Sequence, residues 1–120
     1  MISFFRSFGF AFKGINFSLM QRNMKIMLIC AFLAVILGFI LHITSMEWCV
    51  ILICIGLVLA LETMNTAIEA FVDLVQPNHH PVAGKIKDLS AGAVFIFCLL
   101  AFACGVLIFG KYILDLLSII

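Results

Sequence analysis

Charge is scarce in this chain of 120 residues: seven Lys or Arg and six Asp or Glu leave a net charge of +1. With no large basic cluster, nucleic-acid binding is excluded as a function class. The chain has neither Gly-x-x-x-x-Gly-Lys-Ser/Thr nor Gly-x-Gly-x-x-Gly. The phosphate loops of soluble ATP enzymes are therefore missing, and any nucleotide site has to be assembled from helices. The cysteines (Cys30, Cys49, Cys54, Cys98, Cys104) form no Cys-x-x-Cys pair and have no histidine at zinc-ligand spacing. They read as small apolar packing residues. Proline is confined to Pro77 and Pro81, both in one short segment.

What is abundant is apolar surface. Hydrophobic residues make up 66% of the chain, more than one core of this size can enclose. Three long apolar stretches hold most of it, which predicts an all-α membrane protein. The first span is expected over 26–46, close to the ~20 residues that cross the hydrocarbon core. His42, Thr44, Ser45 and Glu47 mark a turn, with Trp48 suited to the interface. A second helix is expected over 49–75 and a third over 83–110. Between them Gln76-Pro77-Asn78-His79-His80-Pro81 cannot continue a helix.

Ahead of the spans, residues 3–22 read as an amphipathic helix lying on the membrane. Phe5, Phe8, Phe12 and Ile15 repeat at helical spacing, while Arg6 and Lys13 share another face. A cleaved signal peptide is the rival. It is disfavoured because the first uninterrupted apolar run begins at Ile26, is long enough to span, and lacks a small-x-small site before Glu47. Arg6, Lys13, Arg22, Lys25, Lys85 and Lys87 all fall on one side of this topology. The positive-inside rule makes that side cytoplasmic and puts the 42–48 turn outside. Ala34 and Gly38, Gly56 and Ala60, and Ala101 and Gly105 are small pairs at four-residue spacing that could let helices approach closely.

One feature does not suit a plain membrane anchor. Glu62, Asn65, Glu69 and Asp73 fall at i, i+3, i+7 and i+11, along one face of the second span. A carboxylate at membrane depth costs on the order of 3 kcal/mol by insertion scales. A helix end dipping into headgroups accounts for Asp73 and, less well, Glu69; it does not account for Glu62. Lys87-Asp88 opens the third span at the same depth. Lysine can neutralise phosphate, and aspartate can orient a hydroxyl or a metal-bound water. Together with the carboxylate face they predict a phosphate-and-magnesium site, because Mg²⁺ favours one or two carboxylates plus phosphate oxygens. Two other classes remain open on the residues alone. One is a non-catalytic oligomeric scaffold or channel subunit. The other is a proton-coupled transporter, although the outer halves of the spans carry no polar residue to match Glu62.

The string Glu62-x-x-Asn65-Thr66-Ala67-Ile68-Glu69-Ala70 resembles the bacterial diacylglycerol kinase/undecaprenol kinase family. Asp73, His79-His80-Pro81, Lys87-Asp88, Ala91-Gly92-Ala93-Val94 and Phe12-Lys13-Gly14 extend the likeness over nearly the whole chain. The resemblance implies a surface helix plus three transmembrane helices, a homotrimer with shared sites, and a single membrane kinase domain over 1–120 in the bacterial inner membrane. It implies ATP-dependent phosphorylation of a lipid alcohol, with Mg²⁺ as cofactor. By the same likeness Glu62 would be the general base, and Asn65 would position the reacting groups. Glu69 would bind the metal with ATP, and Asn78, His79, His80, Lys87 and Asp88 would contact the nucleotide.

The family's usual Glu-Arg-Asn before the first span reads Gln21-Arg22-Asn23 here. Gln21 can ligate only through a neutral carbonyl oxygen, which predicts a weaker metal ligand. His79-His80-Pro81 and Arg22-Asn23 resemble the undecaprenol kinases more than the short-loop diacylglycerol kinases.

Overall fold

The computed structural model describes residues 1–119, which form four helices: α1 (Ile2–Leu19), α2 (Arg22–Ile40), α3 (Ser45–Val75) and α4 (Pro81–Ser118). The last three are long and apolar enough to cross a bilayer. Their outward faces confirm the compositional argument: Phe102 is 73% and Leu107 76% exposed, surface that only lipid or another protein can cover.

Helix ends are set by local chemistry and depart from the predicted boundaries. α2 stops at Ile40 rather than at Met46 because His42 takes a left-handed backbone, φ 52°. The His42 amide then donates to the Phe39 carbonyl and the Ile43 amide to that of Gly38, each at 3.3 Å, satisfying two carbonyls at the helix end. Glycine is the usual residue at that position. Two residues later Thr44 and Glu47 cap each other reciprocally. The Thr44 amide donates to Glu47 Oε2 at 2.8 Å and the Glu47 amide to Thr44 Oγ1 at 3.4 Å. This capping box starts α3 at Ser45, four residues before the predicted span. α4 begins with Pro81 in its first turn, where the missing N–H costs nothing, and His80 Nδ1 accepts from the Val82 amide at 3.2 Å. It runs eight residues past the predicted 110.

The best-packed apolar cluster lies at the α2–α3 turn. Ile43, Ile51 and Phe109 are buried there, with Leu37, Trp48 and Tyr112 around them. Gly38 is the small residue that makes a close approach: a Cβ on it would lie 2.8 Å from Trp48 Cη2. Gly56 faces open space within the chain, so the predicted small pair there joins no helices in one copy. α4 packs chiefly along α3, and α2 lies on the same helix. α3 is thus the element against which the others are arranged.

The predicted surface helix ends at Leu19, not at residue 22. Met20 and Gln21 form an elbow, the Gln21 amide donating to the Ser18 carbonyl at 3.0 Å, and α2 sets off from Gln21 in an extended conformation. The aromatic face of α1 is largely exposed: Phe5 is 66% and Phe12 69% accessible. Edge-to-face contact between Phe4 and Phe8, centroids 5.1 Å apart, binds neighbouring turns.

Candidate functional site

The loop-end half of α3 carries the polar face. Glu62 is 13 residues before Val75, or ~20 Å along the helix at ~1.5 Å per residue. It is 3% exposed and Asn65 is 4% exposed, so the two residues with least reason to be buried in an apolar helix are among the most buried in the chain. The i, i+3 spacing puts them on one side, and the α1–α2 elbow helps to cover it. Ser18 Oγ lies 3.2 Å from Thr63 Oγ1, and the Asn23 amide sits beside the Glu62 carboxylate.

Asn65 Nδ2 donates to Glu69 Oε1 at 2.9 Å, tying the face together one turn further on. Its other atom, Oδ1, is buried and has no hydrogen-bond partner. A buried acceptor left open is costly and points to something that fills it. Around Glu62 the backbone is also engaged: Thr63 Oγ1 donates to the Leu59 carbonyl at 2.9 Å and Thr66 Oγ1 to the Glu62 carbonyl at 3.0 Å. Hydroxyls bonded back to i−4 carbonyls on successive turns favour a slight bend there.

The remaining predicted residues divide between two hollows. Lys87 forms an ion pair with Asp73, joining α4 to α3 across the loop. The pair borders a cleft of about 220 Å³ whose other walls include Asn78, His79 and His80. Asp88, one residue on, points elsewhere. With Lys85 it borders a separate groove of about 520 Å³ floored by Leu89, Gly92, Ala93 and Ile96. Neighbouring helix residues diverge by ~100°, so Lys87 and Asp88 cannot both face α3. Gln21 stands at the elbow as the first residue before α2, and its side chain caps nothing.

The donor set on α3 is all oxygen: the Glu62 and Glu69 carboxylates and the open Asn65 amide oxygen. Among the described residues no three His, Cys, Asp or Glu side chains converge closely enough to hold a metal by themselves. Such a set suits a hard cation that keeps much of its coordination for phosphate and water, as Mg²⁺ does. It does not suit zinc, which favours nitrogen and sulfur. All five cysteines are free thiols. The Ser18–Thr63 pair had no signature in the sequence, where Ser18 is one hydroxyl in a phenylalanine-rich helix.

At the opposite end of the bundle, Glu47 also accepts from Tyr112 at 2.7 Å and pairs with Lys111, so the start of α3 is joined to α4 there as well.

Comparison with known proteins identifies the family. Residues 9–109 fit the family model described as prokaryotic diacylglycerol kinase. The chain is 40% identical over 107 residues to the undecaprenol kinase of Bacillus subtilis, covering 88% of this chain and 87% of that one. A Synechocystis diacylglycerol kinase is 34% identical over 101 residues, 82% of this chain and 58% of the relative. That of Haemophilus influenzae is 35% identical over 74 residues, 61% of this chain and 63% of the relative. The chain thus spans somewhat less than two thirds of the length of these last two. With a family model matching most of its length, three apolar helices and a buried carboxylate at Glu62, the chain belongs to the prokaryotic diacylglycerol kinase family of membrane lipid kinases.

Proposed function

We propose that the chain transfers the terminal phosphoryl group of Mg-ATP to the primary hydroxyl of a membrane lipid alcohol at the cytoplasmic face of the bacterial inner membrane. The observation that carries this reading is the burial of Glu62 beside the open Asn65 oxygen on a membrane helix. A carboxylate placed there serves as a base for a hydroxyl arriving from the lipid phase. Glu62 takes the hydroxyl proton while the lipid oxygen forms the new bond to the terminal phosphorus. The bond from that phosphorus to the bridging oxygen breaks, and its electrons leave with ADP. Asn65, anchored on Glu69, orients the reacting groups.

Glu69 and, more weakly, Gln21 would hold Mg²⁺, which supplies charge neutralisation on the phosphates when bound. Asn78, His79, His80 and Lys87 border the loop cleft, which would take the nucleotide. Asp88 borders a different groove from Lys87, so a homotrimer of the kind the family resemblance implies, with neighbouring copies completing each site, is the assembly that would bring it to a nucleotide. Arg6 and Lys13 lie in α1, Arg22 and Lys25 at the start of α2 and Lys85 and Lys87 at the start of α4, whereas Lys111 lies in the far part of α4, a distribution that supports a cytoplasmic N-terminus.

Undecaprenol is the preferred acceptor. The Bacillus subtilis undecaprenol kinase is matched over most of both lengths, and diacylglycerol kinases at lower identity. The test is transfer of labelled phosphate from Mg-ATP to undecaprenol and, separately, to diacylglycerol, with Glu62→Gln as control. Faster transfer to undecaprenol that disappears in Glu62→Gln is expected. Transfer that survives this substitution removes Glu62 as the base, and faster transfer to diacylglycerol reverses the choice of acceptor.

A further inference from the structure

We propose that Ser18 is a positioning residue of the phosphoryl-transfer site, tying the α1–α2 elbow to the turn of α3 that carries Glu62. The inference rests on the reading of Glu62 given above. Among the side chains described in α1, Ser18 alone is buried, at 2% exposed, while the aromatic residues around it face outward. The helix is therefore not held down by an apolar seam. It is held near its last turn, by a hydroxyl.

The direction of the bond can be assigned. Thr63 has one hydroxyl proton and gives it to the Leu59 carbonyl at 2.9 Å. In the 3.2 Å contact with Ser18, Thr63 Oγ1 therefore accepts and Ser18 donates. Ser18 acts with its other polar end too, since its carbonyl accepts from the Gln21 amide at 3.0 Å. One residue thus bonds on one side to the neighbour of Glu62 and on the other to Gln21, the position where a metal ligand is expected. Asn23, beside the Glu62 carboxylate, follows from the same elbow. Among the described residues the Ser18 hydroxyl makes the polar link from α1 to α3, and without it the elbow can shift relative to Glu62 while the transmembrane helices remain packed.

The test compares Ser18→Ala, Ser18→Thr, Thr63→Val and Thr63→Ser in the full chain in bicelles. Each is assayed for kcat, lipid KM, the Mg²⁺ concentration at half-maximal rate, and amide hydrogen exchange over residues 18–25. Ser18→Ala and Thr63→Val are expected to lower kcat about ten-fold, the scale of one lost hydrogen bond at a reacting centre, with lipid KM little changed. Both should raise the Mg²⁺ requirement and speed exchange at the elbow. Their combination should do no more than either alone, and Ser18→Thr and Thr63→Ser should restore most of the rate. Wild-type kcat and Mg²⁺ dependence in Ser18→Ala, or multiplied losses in the double variant, would overturn the proposal. So would loss of folding in both Ser18→Ala and Thr63→Val, because the bond would then be holding the fold rather than the site. Glu62→Gln run alongside separates the two levels. Persistent transfer in that variant defeats the reading of Glu62, whereas a dead Glu62→Gln beside a normal Ser18→Ala defeats only the role of Ser18.

Discussion

The Tyr112 hydroxyl donates to Glu47 Oε2 at 2.7 Å, joining the far part of α4 to the carboxylate that caps the start of α3. These residues are 65 positions apart in the chain, and the same carboxylate is paired with Lys111. One glutamate thus completes a helix cap and fastens two long helices at the end opposite Glu62. Tyr112→Phe removes a single donor and is expected to lower the thermal unfolding midpoint in detergent. Glu47→Gln should lower it further, since it weakens the cap, the tyrosine bond and the ion pair together. Equal midpoints for the two variants would show that the cap and the lysine contribute nothing.

Gly38 is where α2 meets Trp48. A Cβ at 2.8 Å from Cη2 and 3.0 Å from Cζ2 has to displace the indole, which also makes a tilted contact with Phe39, centroids 4.8 Å apart. Gly38→Ala should destabilise by ~1–3 kcal/mol, the usual cost of overpacking a filled site. Trp48 is the chain's single tryptophan, so its emission reports the displacement directly. An unshifted spectrum with unchanged stability would mean that the contact yields freely.

His42 holds a left-handed backbone at the end of α2, with φ 52°. For a residue with a Cβ that conformation costs ~1–2 kcal/mol, and glycine avoids most of the cost. His42→Gly is expected to raise the unfolding free energy by about 1 kcal/mol, less the extra chain entropy of glycine in the unfolded state. His42→Val should lower it. A denaturation series of the three proteins in mixed micelles decides the order.

Gln21 offers a neutral oxygen where the family has a carboxylate. Gln21→Glu is expected to lower the Mg²⁺ concentration at half-maximal rate, by roughly ten-fold if the added charge is worth one charge-assisted contact. The elbow bond from the Gln21 amide to the Ser18 carbonyl belongs to the backbone, so the substitution leaves it intact. A Mg²⁺ titration of initial rates shows the shift. No shift would place position 21 outside the metal's reach.

Much of the fold was legible because lipid imposes simple conditions on sequence. A helix that crosses hydrocarbon must be long and apolar, and a loop such as 76–80 must carry the residues a helix rejects. The helix boundaries were less accessible. The Thr44-x-x-Glu47 box that starts α3 is a readable motif, yet its apolar surroundings merged with the spans on either side. The end of α2 was not readable in that way, because the turn is closed by a histidine where glycine is the usual signal.

Residue types and their periodicity by themselves determined the three spans, the surface helix and the line of Glu62, Asn65, Glu69 and Asp73 on one face of α3. These follow from local rules, a 3.6-residue repeat and the cost of charge in an apolar medium, and need no knowledge of what lies opposite. Only the tertiary structure decided which polar atoms meet. It joined Ser18 to Thr63, left Asn65 Oδ1 open, paired Lys87 with Asp73 while setting Asp88 on a separate groove, and gave Glu47 to Tyr112. Those pairings depend on the angle at which one helix crosses another and on where an elbow bends. Such quantities arise from packing between distant segments, and no short window of sequence contains them.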